Sequence, residues 1–416
     1  MSEFLIEGGV PLCGVVDVQG AKNSVLPILA ATLLADGESV IENCPCISDT
    51  AAAADILRYL GASVTVFSDR VYVDTSAAAG FMISDELMRR MRSSVVFLGA
   101  ILARRGHAVI SFPGGCELGP RPIDLHLAAL RKMGARIREE HGFLDCECDG
   151  LKGTDVDLSI PSVGATENIM LAAVTAEGRT VISNAAKEPE ICDLQCFLNK
   201  MGARVSGAGT PTVVIDGVRS LKPARHRVIP DRIAAATYMC AVAATAGNAM
   251  LRNTEPEHLS SIIAFLRQTG STVTVSGSDI YISCDELRAA DTVRTMPYPG
   301  FPTDAQAVCM ALMCKAKGSS VFIETVFSDR FRHVGELSRM GAKITVDGRV
   351  AVVDGVGKMY GTKVESTDLR GGAALVVAAL AAEGESRICK VSHIDRGYQD
   401  MCGVLSSLGA RISRKE

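Results

Sequence analysis

The chain of 416 residues has no uninterrupted apolar stretch long enough to span a bilayer, so a membrane-embedded helix is not expected. It has no long basic run and its net charge is −4, which argues against nucleic acid as the main partner. The opening Met1-Ser2-Glu3-Phe4 has no positive region ahead of an apolar core. A secretory leader is therefore not expected, and the cytoplasm is the default compartment. Paired metal ligands are missing as well. Cys44-Pro-Cys46 and Cys146-Glu-Cys148 are spaced too tightly for a zinc site, no matching Cys/His pair follows, and Cys192 and Cys196 also lack a second pair. No metal and no cofactor are expected. Most of the fourteen cysteines read as reduced, small core residues. What is abundant is apolar: 48% of residues, against 22% charged, which describes a globular chain with room for two or three cores.

Comparing the chain with itself is more informative. One signature recurs six times: Leu57-Arg-Tyr-Leu-Gly61, Leu130-Arg-Lys-Met-Gly134, Leu198-Asn-Lys-Met-Gly202, Leu266-Arg-Gln-Thr-Gly270, Leu337-Ser-Arg-Met-Gly341 and Leu405-Ser-Ser-Leu-Gly409. Each reads as the last turn of a helix, anchored by Leu and closed by a glycine free to adopt a left-handed conformation. A strand and a hairpin follow, as in Val273-Thr-Val275, a turn at Gly277, then Ile280-Tyr-Ile282. Another strand leads to a helix apolar nearly all round and hence buried, for example Val25 to Leu34, Val95 to Leu102 and Ala373 to Ala382. The unit is roughly βαβαββ. The sixth copy stops early, and Phe4-Leu-Ile-Glu-Gly8 resembles Val213-Val-Ile-Asp-Gly217, so the N-terminal segment is expected to complete it. The expected architecture is α/β: two similar domains of three repeats each, 20–229 and 230–416 with 1–19, joined by two chain crossings.

The buried helices begin with Lys22-Asn23, Met91-Arg92-Ser93, Ser162-Val163-Gly164, Asp231-Arg232, Pro302-Thr303-Asp304 and Asp368-Leu369-Arg370. Ser162, Asp231, Thr303 and Asp368 fit as N-caps. The cations fit less well, because a helix N-terminus already carries about half a positive charge. Lys22, Arg92, Arg232 and Arg370 together imply an anion-binding site if the helices of a domain run parallel. The alternative is that each cation pairs with a local carboxylate, as Asp231 with Arg232. Residues 111–126 are set apart by Pro113, Gly114, Gly115, Gly119, Pro120 and Pro122, which exclude regular structure around Cys116. With Arg121 close in sequence, Cys116 fits either a reactive thiol or an inert loop cysteine.

In combination, Lys22-Asn23, the run Pro113-Gly-Gly-Cys116 to Pro122, Ser162-Val-Gly-Ala-Thr166, Phe301-Pro-Thr-Asp304, Glu324-Thr-Val-Phe327, Arg330, Thr367-Asp-Leu-Arg370 and His393-Ile-Asp-Arg-Gly397 resemble the UDP-N-acetylglucosamine enolpyruvyl transferase family. The resemblance covers essentially the whole chain. It implies two inside-out α/β barrel domains and transfer of the enolpyruvyl group of phosphoenolpyruvate to the 3-hydroxyl of UDP-N-acetylglucosamine. In that family this is the first committed step of peptidoglycan synthesis. It further implies that Cys116 donates the proton to the methylene carbon, forms a thioether adduct with phosphoenolpyruvate and is the target of the epoxide fosfomycin. Asp304 matches the candidate base at the sugar hydroxyl, a role compatible with capping its helix. Lys22, Arg121 and Arg396 match the cations that hold phosphate, with Arg330, Asp368 and Arg370 in the same substrate site. Asn23 matches a phosphoenolpyruvate contact. Arg92, Arg121, Pro122, Ile123, Asp124, Leu125, Ser162, Val163, Gly164, Asp304 and Val326 match the surroundings of the nucleotide sugar.

The chain departs from the pattern at Ile160, where some members carry Lys, and at Ala234, where some carry a carboxylate. A monomer is the family expectation. The nearest rival is 3-phosphoshikimate 1-carboxyvinyltransferase, which shares fold and donor but for which the Cys116 loop and Ser162-Val-Gly are less suited. A rival of another class is a non-enzymatic six-repeat ring such as a DNA sliding clamp. That reading predicts a basic helical lining and no elaborated loop.

Overall fold

The computed structural model describes residues 2–112 and 123–416. They form two compact units, one of residues 20–112 and 123–229, the other of residues 2–19 with Pro230–Glu416. The periodicity of the sequence is the periodicity of the fold. All six signature glycines have φ between 93° and 100°, the left-handed region in which a Cβ would be strained. Each leads directly into a strand: Ser63–Val66, Arg136–Glu140, Arg204–Ser206, Thr272–Ser276, Lys343–Asp347 and Arg411–Lys415.

Among the described residues, five of the six sheets have four strands and one has three. In the sheet of the third repeat, Asp155–Asp157 runs parallel to Arg179–Ser183, which pairs antiparallel with Thr212–Asp216, which pairs in turn with Arg204–Ser206. The N-terminal strand Glu3–Glu7 lies between Glu385–Cys389 and Arg411–Lys415, so it supplies the strand the sixth repeat lacks.

The sequence did not reveal how the short parallel strands are allotted. Cys13–Asp17 precedes the first core helix along the chain but pairs with Asn248–Arg252 of the fourth repeat. Arg225–Arg227 precedes the fourth core helix but pairs with Glu38–Glu42 of the first. The strand that opens a repeat is thus exchanged wherever the chain passes from one unit to the other.

The six core helices are Lys22–Ala31, Phe97–Arg105, Val163–Ala173, Arg232–Ala244, Thr303–Met313 and Leu369–Ala381. They are buried on nearly all faces, which is why their sequences show no amphipathic stripe. Arg92 does not open its α-helix directly; it starts a 3-10 turn, Arg92–Val96, that feeds Phe97–Arg105. Arg104 ties the C-terminal ends of the first two helices together by donating to the carbonyls of Leu33 at 2.6 Å and Ala35 at 2.9 Å. In the second unit the three helices pack on one another. No described helix is long and apolar enough to cross a membrane.

One glycine position shows how closely the repeats are matched. Gly8, Gly217 and Gly355 each follow a hairpin strand and donate N–H to a glycine carbonyl, that of Gly384, Gly178 and Gly318, at 3.2, 2.9 and 2.9 Å. A Cβ on them would lie 2.3 Å from the Ala382 oxygen, 1.7 Å from that of Ala176 and 1.6 Å from that of Ala316. Gly217→Ala is expected to lower stability by about 2 kcal/mol through overpacking, read as a shift in the denaturant midpoint at constant slope. Gly8→Ala should do the same. If it costs nothing, the N-terminal strand is not the equivalent of its counterparts.

Candidate functional site

In the unit of residues 20–229, Lys22 begins the first core helix and is 9% exposed. Its cation is paired: Nζ lies 2.7 Å from the buried carboxylate of Asp49, in the first turn of Ser48–Tyr59. The half-buried Asn23 follows it. Ser24 then donates to Asp193, whose carboxylate also takes His226 Nε2 at 2.7 Å and the Ile229 N–H at 3.2 Å. The start of this helix is therefore fixed by two acid-centred contacts from elsewhere in the unit, through Asp49 and Asp193.

Ser162 caps Val163–Ala173, its Oγ accepting from the Ala165 N–H at 3.4 Å. Gly164 leaves room for the ring of His126: a Cβ there would stand 3.2 Å from Cε1. His126 Nδ1 accepts from Asn168 Nδ2 at 2.9 Å, and that amide also binds the Val95 carbonyl at 2.8 Å and the Gly99 N–H at 2.6 Å. Because Nδ1 accepts, a neutral His126 carries its proton on Nε2. Asn168 thereby ties the middle of the third core helix to the start of the second. Ile123 and Leu125 pack against the core, while Asp124 opens the helix Asp124–Lys132 and is exposed. Ile160 is 61% exposed. Cys116, Arg121 and Pro122 lie outside the described residues.

Burial drives the His126 pKa down to about 4, with Asp124 opposing and Arg92 assisting. His333 in the other unit is likewise pushed down to about 4 by burial, against Asp368 and with Arg330. The unfolded chain takes up these protons near pH 6.5 while the folded chain stays neutral, so stability falls as pH drops from about 6.5 towards 4. Each histidine is expected to withdraw roughly 2 kcal/mol by pH 5. His126→Gln should lose less stability between pH 7 and pH 5 than the wild type does. An equal loss would mean that His126 is charged in the native state. Burial, with Glu190 and Glu188 near, also raises Glu167, on the helix that Ser162 caps, well above the usual carboxyl range.

In the unit containing residues 230–416, neither Thr303 nor Asp304 caps its helix, contrary to the expectation. The cap position is Pro302, with no side-chain bond. Thr303 instead donates to Glu324 Oε2 at 2.9 Å, and Glu324 Oε1 accepts the N–H groups of Val326 and Phe327 at 2.7 and 3.0 Å, folding that turn and placing Val326 at the surface. Asp304 is freed for another task. Its Oδ1 takes Arg330 Nη2 at 2.8 Å and its Oδ2 takes Arg370 Nη2 at 2.9 Å. The arginine side chains are 2% and 4% exposed and the carboxylate 28%.

Asp368 does cap its helix, accepting from the Arg370 and Gly371 N–H groups at 2.9 and 3.1 Å. Burial opposes its ionisation, but Arg330 and these N–H groups prevail and hold its carboxyl below the usual range. Asp231 caps its own helix, accepting from Ile233 and Ala234, and Arg232 lies 5.6 Å from the Tyr298 ring centroid. Arg396 ends the 3-10 turn Val391–Arg396, half-buried. Asp304, Arg330, Asp368 and Arg370 thus form one cluster at the N-terminal end of two core helices. Of the four cations at helix starts, Lys22 and Arg370 have carboxylate partners contributed by distant segments rather than by sequence neighbours.

Among the described residues every cysteine is a free thiol. Burial pushes Cys44, Cys146 and Cys314 up to about 12, in keeping with inert core residues. One group, His107, Asp145 and Glu147, brings three potential metal-ligand atoms within 4.8 Å, but Arg138 already bonds Asp145 at 3.0 Å and lies 3.5 Å from Glu147.

The family model for EPSP synthase (3-phosphoshikimate 1-carboxyvinyltransferase) matches residues 6–405. The chain belongs to the enolpyruvyl transferase family. It is 50% identical over 415 residues to UDP-N-acetylglucosamine 1-carboxyvinyltransferase 2 of Caldanaerobacter subterraneus subsp. tengcongensis, each chain covered in full. It is 50% identical over 418 residues to UDP-N-acetylglucosamine 1-carboxyvinyltransferase 1 of Symbiobacterium thermophilum, covering 99% of this chain and 95% of the other. The enolpyruvyl transferase NikO from Streptomyces tendae matches with a TM-score of 0.89 at 28% identity, over 100% of this chain and 99% of that one. EPSP synthase from Acinetobacter baumannii shares the fold, with a TM-score of 0.77 at 20% identity over both full chains. The two-domain inside-out α/β fold is thus that of enolpyruvyl transferases, and a non-enzymatic ring is set aside.

Proposed function

We propose that this enolpyruvyl transferase moves the enolpyruvyl group of phosphoenolpyruvate to the 3-hydroxyl of UDP-N-acetylglucosamine, releasing phosphate. The observation that carries the reading is the 50% identity, across both full chains, to a relative named for that activity. In this reading the units 20–229 and 230–416 with 1–19 are its two functional domains, and it works as a cytoplasmic monomer without nucleic acid, metal or cofactor.

The reaction is addition followed by elimination. Cys116 delivers a proton to the methylene carbon as the sugar oxygen bonds to the adjacent carbon, and Asp304 receives the hydroxyl proton. Loss of phosphate and of a methyl proton restores the double bond. Lys22, Arg121 and Arg396 hold phosphate, Arg330, Asp368 and Arg370 organise the acidic end of the site, and Asn23 contacts phosphoenolpyruvate. Arg92, Pro122, Ile123, Asp124, Leu125, Ser162, Val163, Gly164 and Val326 surround the nucleotide sugar. Asp304 accepts from Arg330 at Oδ1 and from Arg370 at Oδ2, and a carboxylate oxygen can accept more than one hydrogen bond.

A coupled phosphate-release assay with phosphoenolpyruvate and either UDP-N-acetylglucosamine or shikimate 3-phosphate tests the reading. Turnover with the nucleotide sugar alone is the expected result. Turnover with shikimate 3-phosphate alone overturns it.

A further inference from the structure

Arg370 is held from two sides. Its Nη2 binds Asp304, and its Nη1 donates to the hydroxyl of Tyr398 at 3.2 Å. The guanidinium carbon stands 5.6 Å from the Tyr398 ring centroid, within cation–π range. Tyr398 is 2% exposed, and its oxygen lies 2.8 Å from Thr237 Oγ1, itself 2.9 Å from the Ile233 carbonyl. Stoichiometry fixes the direction of this chain. The Ile233 carbonyl can only accept, so Thr237 spends its one proton there and must accept from Tyr398, while the phenol oxygen accepts from Arg370, which can only donate. Every hydroxyl in the chain has one orientation, and each bond polarises the next.

The chain crosses all three core helices of its unit. Thr237 is on Arg232–Ala244, Asp304 on Thr303–Met313 and Arg370 on Leu369–Ala381. Burial raises the Tyr398 pKa above the phenol's usual value, although Arg370, Thr237 and their hydrogen bonds oppose it, so the phenol stays neutral beside the cation.

We infer that Tyr398 is a positioning residue: through Arg370 it sets the carboxylate of Asp304 against the acceptor hydroxyl. The inference rests on the role proposed above for Asp304. Arg330 grips the other carboxylate oxygen and is fixed by the Thr303 carbonyl, on the helix that carries Asp304. Arg330 itself comes from the segment after Ser319–Ile323 and lies beside Asp368, so it gives one reference from outside that helix. The Tyr398–Thr237 chain gives a second, because it refers Arg370 to a different helix.

Steady-state kinetics of Tyr398→Phe, Thr237→Val and Thr237→Ser test the inference, with wild type assayed alongside. In Tyr398→Phe, kcat is expected to fall about tenfold while both KM values stay within about twofold. Thr237→Val should fall in the same sense, and Thr237→Ser, which keeps the hydroxyl, should retain wild-type kcat. In a cycle with Arg370→Lys, adding Tyr398→Phe should change kcat no further, since the phenol acts only through Arg370.

A purely structural role would lower the melting temperature and leave kcat of the folded enzyme alone, and that result overturns the inference. Should Tyr398→Phe fail to fold, Thr237→Val decides by the same criterion. A wild type that releases no phosphate with UDP-N-acetylglucosamine overturns the functional reading and this inference with it, whereas an active wild type with unaffected variants overturns this inference alone.

Discussion

Cys116→Ala will release no measurable phosphate from phosphoenolpyruvate and UDP-N-acetylglucosamine, yet will unfold at the wild-type denaturant midpoint. A methyl group cannot donate the proton that the methylene carbon needs. Loss of a positioned general acid alone costs about a hundredfold to ten-thousandfold, and loss of a covalent route adds to that. The stability expectation is a reading of the sequence alone: with Pro113, Gly114, Gly115, Gly119, Pro120 and Pro122 around it, Cys116 is not expected to belong to a helix or strand that the substitution could weaken. Changes at such places cost within about 0.5 kcal/mol. Mass spectrometry after incubation with phosphoenolpyruvate gives an independent readout. Wild type should gain the mass of one phosphoenolpyruvate on the peptide carrying Cys116, and the alanine variant none. Cys44, Cys146 and Cys314, with thiols pushed up by burial to about 12, are poor nucleophiles and should stay unmodified. Phosphate release at the wild-type rate by Cys116→Ala would remove the thiol from the mechanism.

The features legible in the sequence were those written locally. The Leu-x-x-x-Gly signature closes a helix in all six of its copies, so it revealed six repeats, and all six glycines took the left-handed conformation. The similarity of Phe4–Gly8 to Val213–Gly217 placed the N-terminal strand in the sixth sheet for the same reason, because both end in a glycine that must approach a helix-end carbonyl. The exchange of Cys13–Asp17 and Arg225–Arg227 was not legible. Which sheet a short parallel strand joins depends on where distant chain lies, and nothing in its own residues records that.

Charge partners failed for the same reason. Lys22 and Arg370 have no carboxylate within a helical turn that pairs with them, so they read as cations awaiting an anion, and the fold brings Asp49 and Asp304 from elsewhere. Thr303 and Asp304 looked like caps because their types favour caps, but Pro302 occupies that position. Asn168 carried a signal that was available: with Glu167 it interrupts an otherwise apolar helix, and a buried amide must be spent on hydrogen bonds. Tyr398 carried none beyond its place after Gly397, since a phenol's partners are set only by tertiary contact.

Asp304→Ala should cost both stability and turnover, by amounts that separate its two roles. Arg330 and Arg370 are almost wholly buried, and Asp304 is the carboxylate that bonds both guanidiniums. Breaking a buried pair by deleting one partner costs about 3–5 kcal/mol, because the remaining charge is left uncompensated. Here two cations are stranded, but each keeps a second acceptor, the Thr303 carbonyl for Arg330 and the Tyr398 hydroxyl for Arg370. Water can also reach the place vacated by a carboxylate that was partly exposed. The lower end, about 3 kcal/mol, is therefore the expected loss of unfolding free energy. Asp304→Asn should lose less, since its amide oxygen still serves one arginine while its NH2 opposes the other.

The kcat of either variant should fall by about a hundredfold to ten-thousandfold if Asp304 takes the hydroxyl proton. Asparagine, which cannot accept a proton, should then be as inactive as alanine despite its better stability. That divergence is the decisive feature: an Asp304→Asn enzyme with near wild-type kcat would leave the carboxylate a purely structural bridge between two arginines. Inorganic phosphate supplies a control on the electrostatics. It should raise the denaturant midpoint of Asp304→Ala more than that of wild type, because only in the variant are two buried guanidiniums left without their anion. An equal rise in both would mean that phosphate binds elsewhere and that the paired arginines tolerate the loss of their carboxylate.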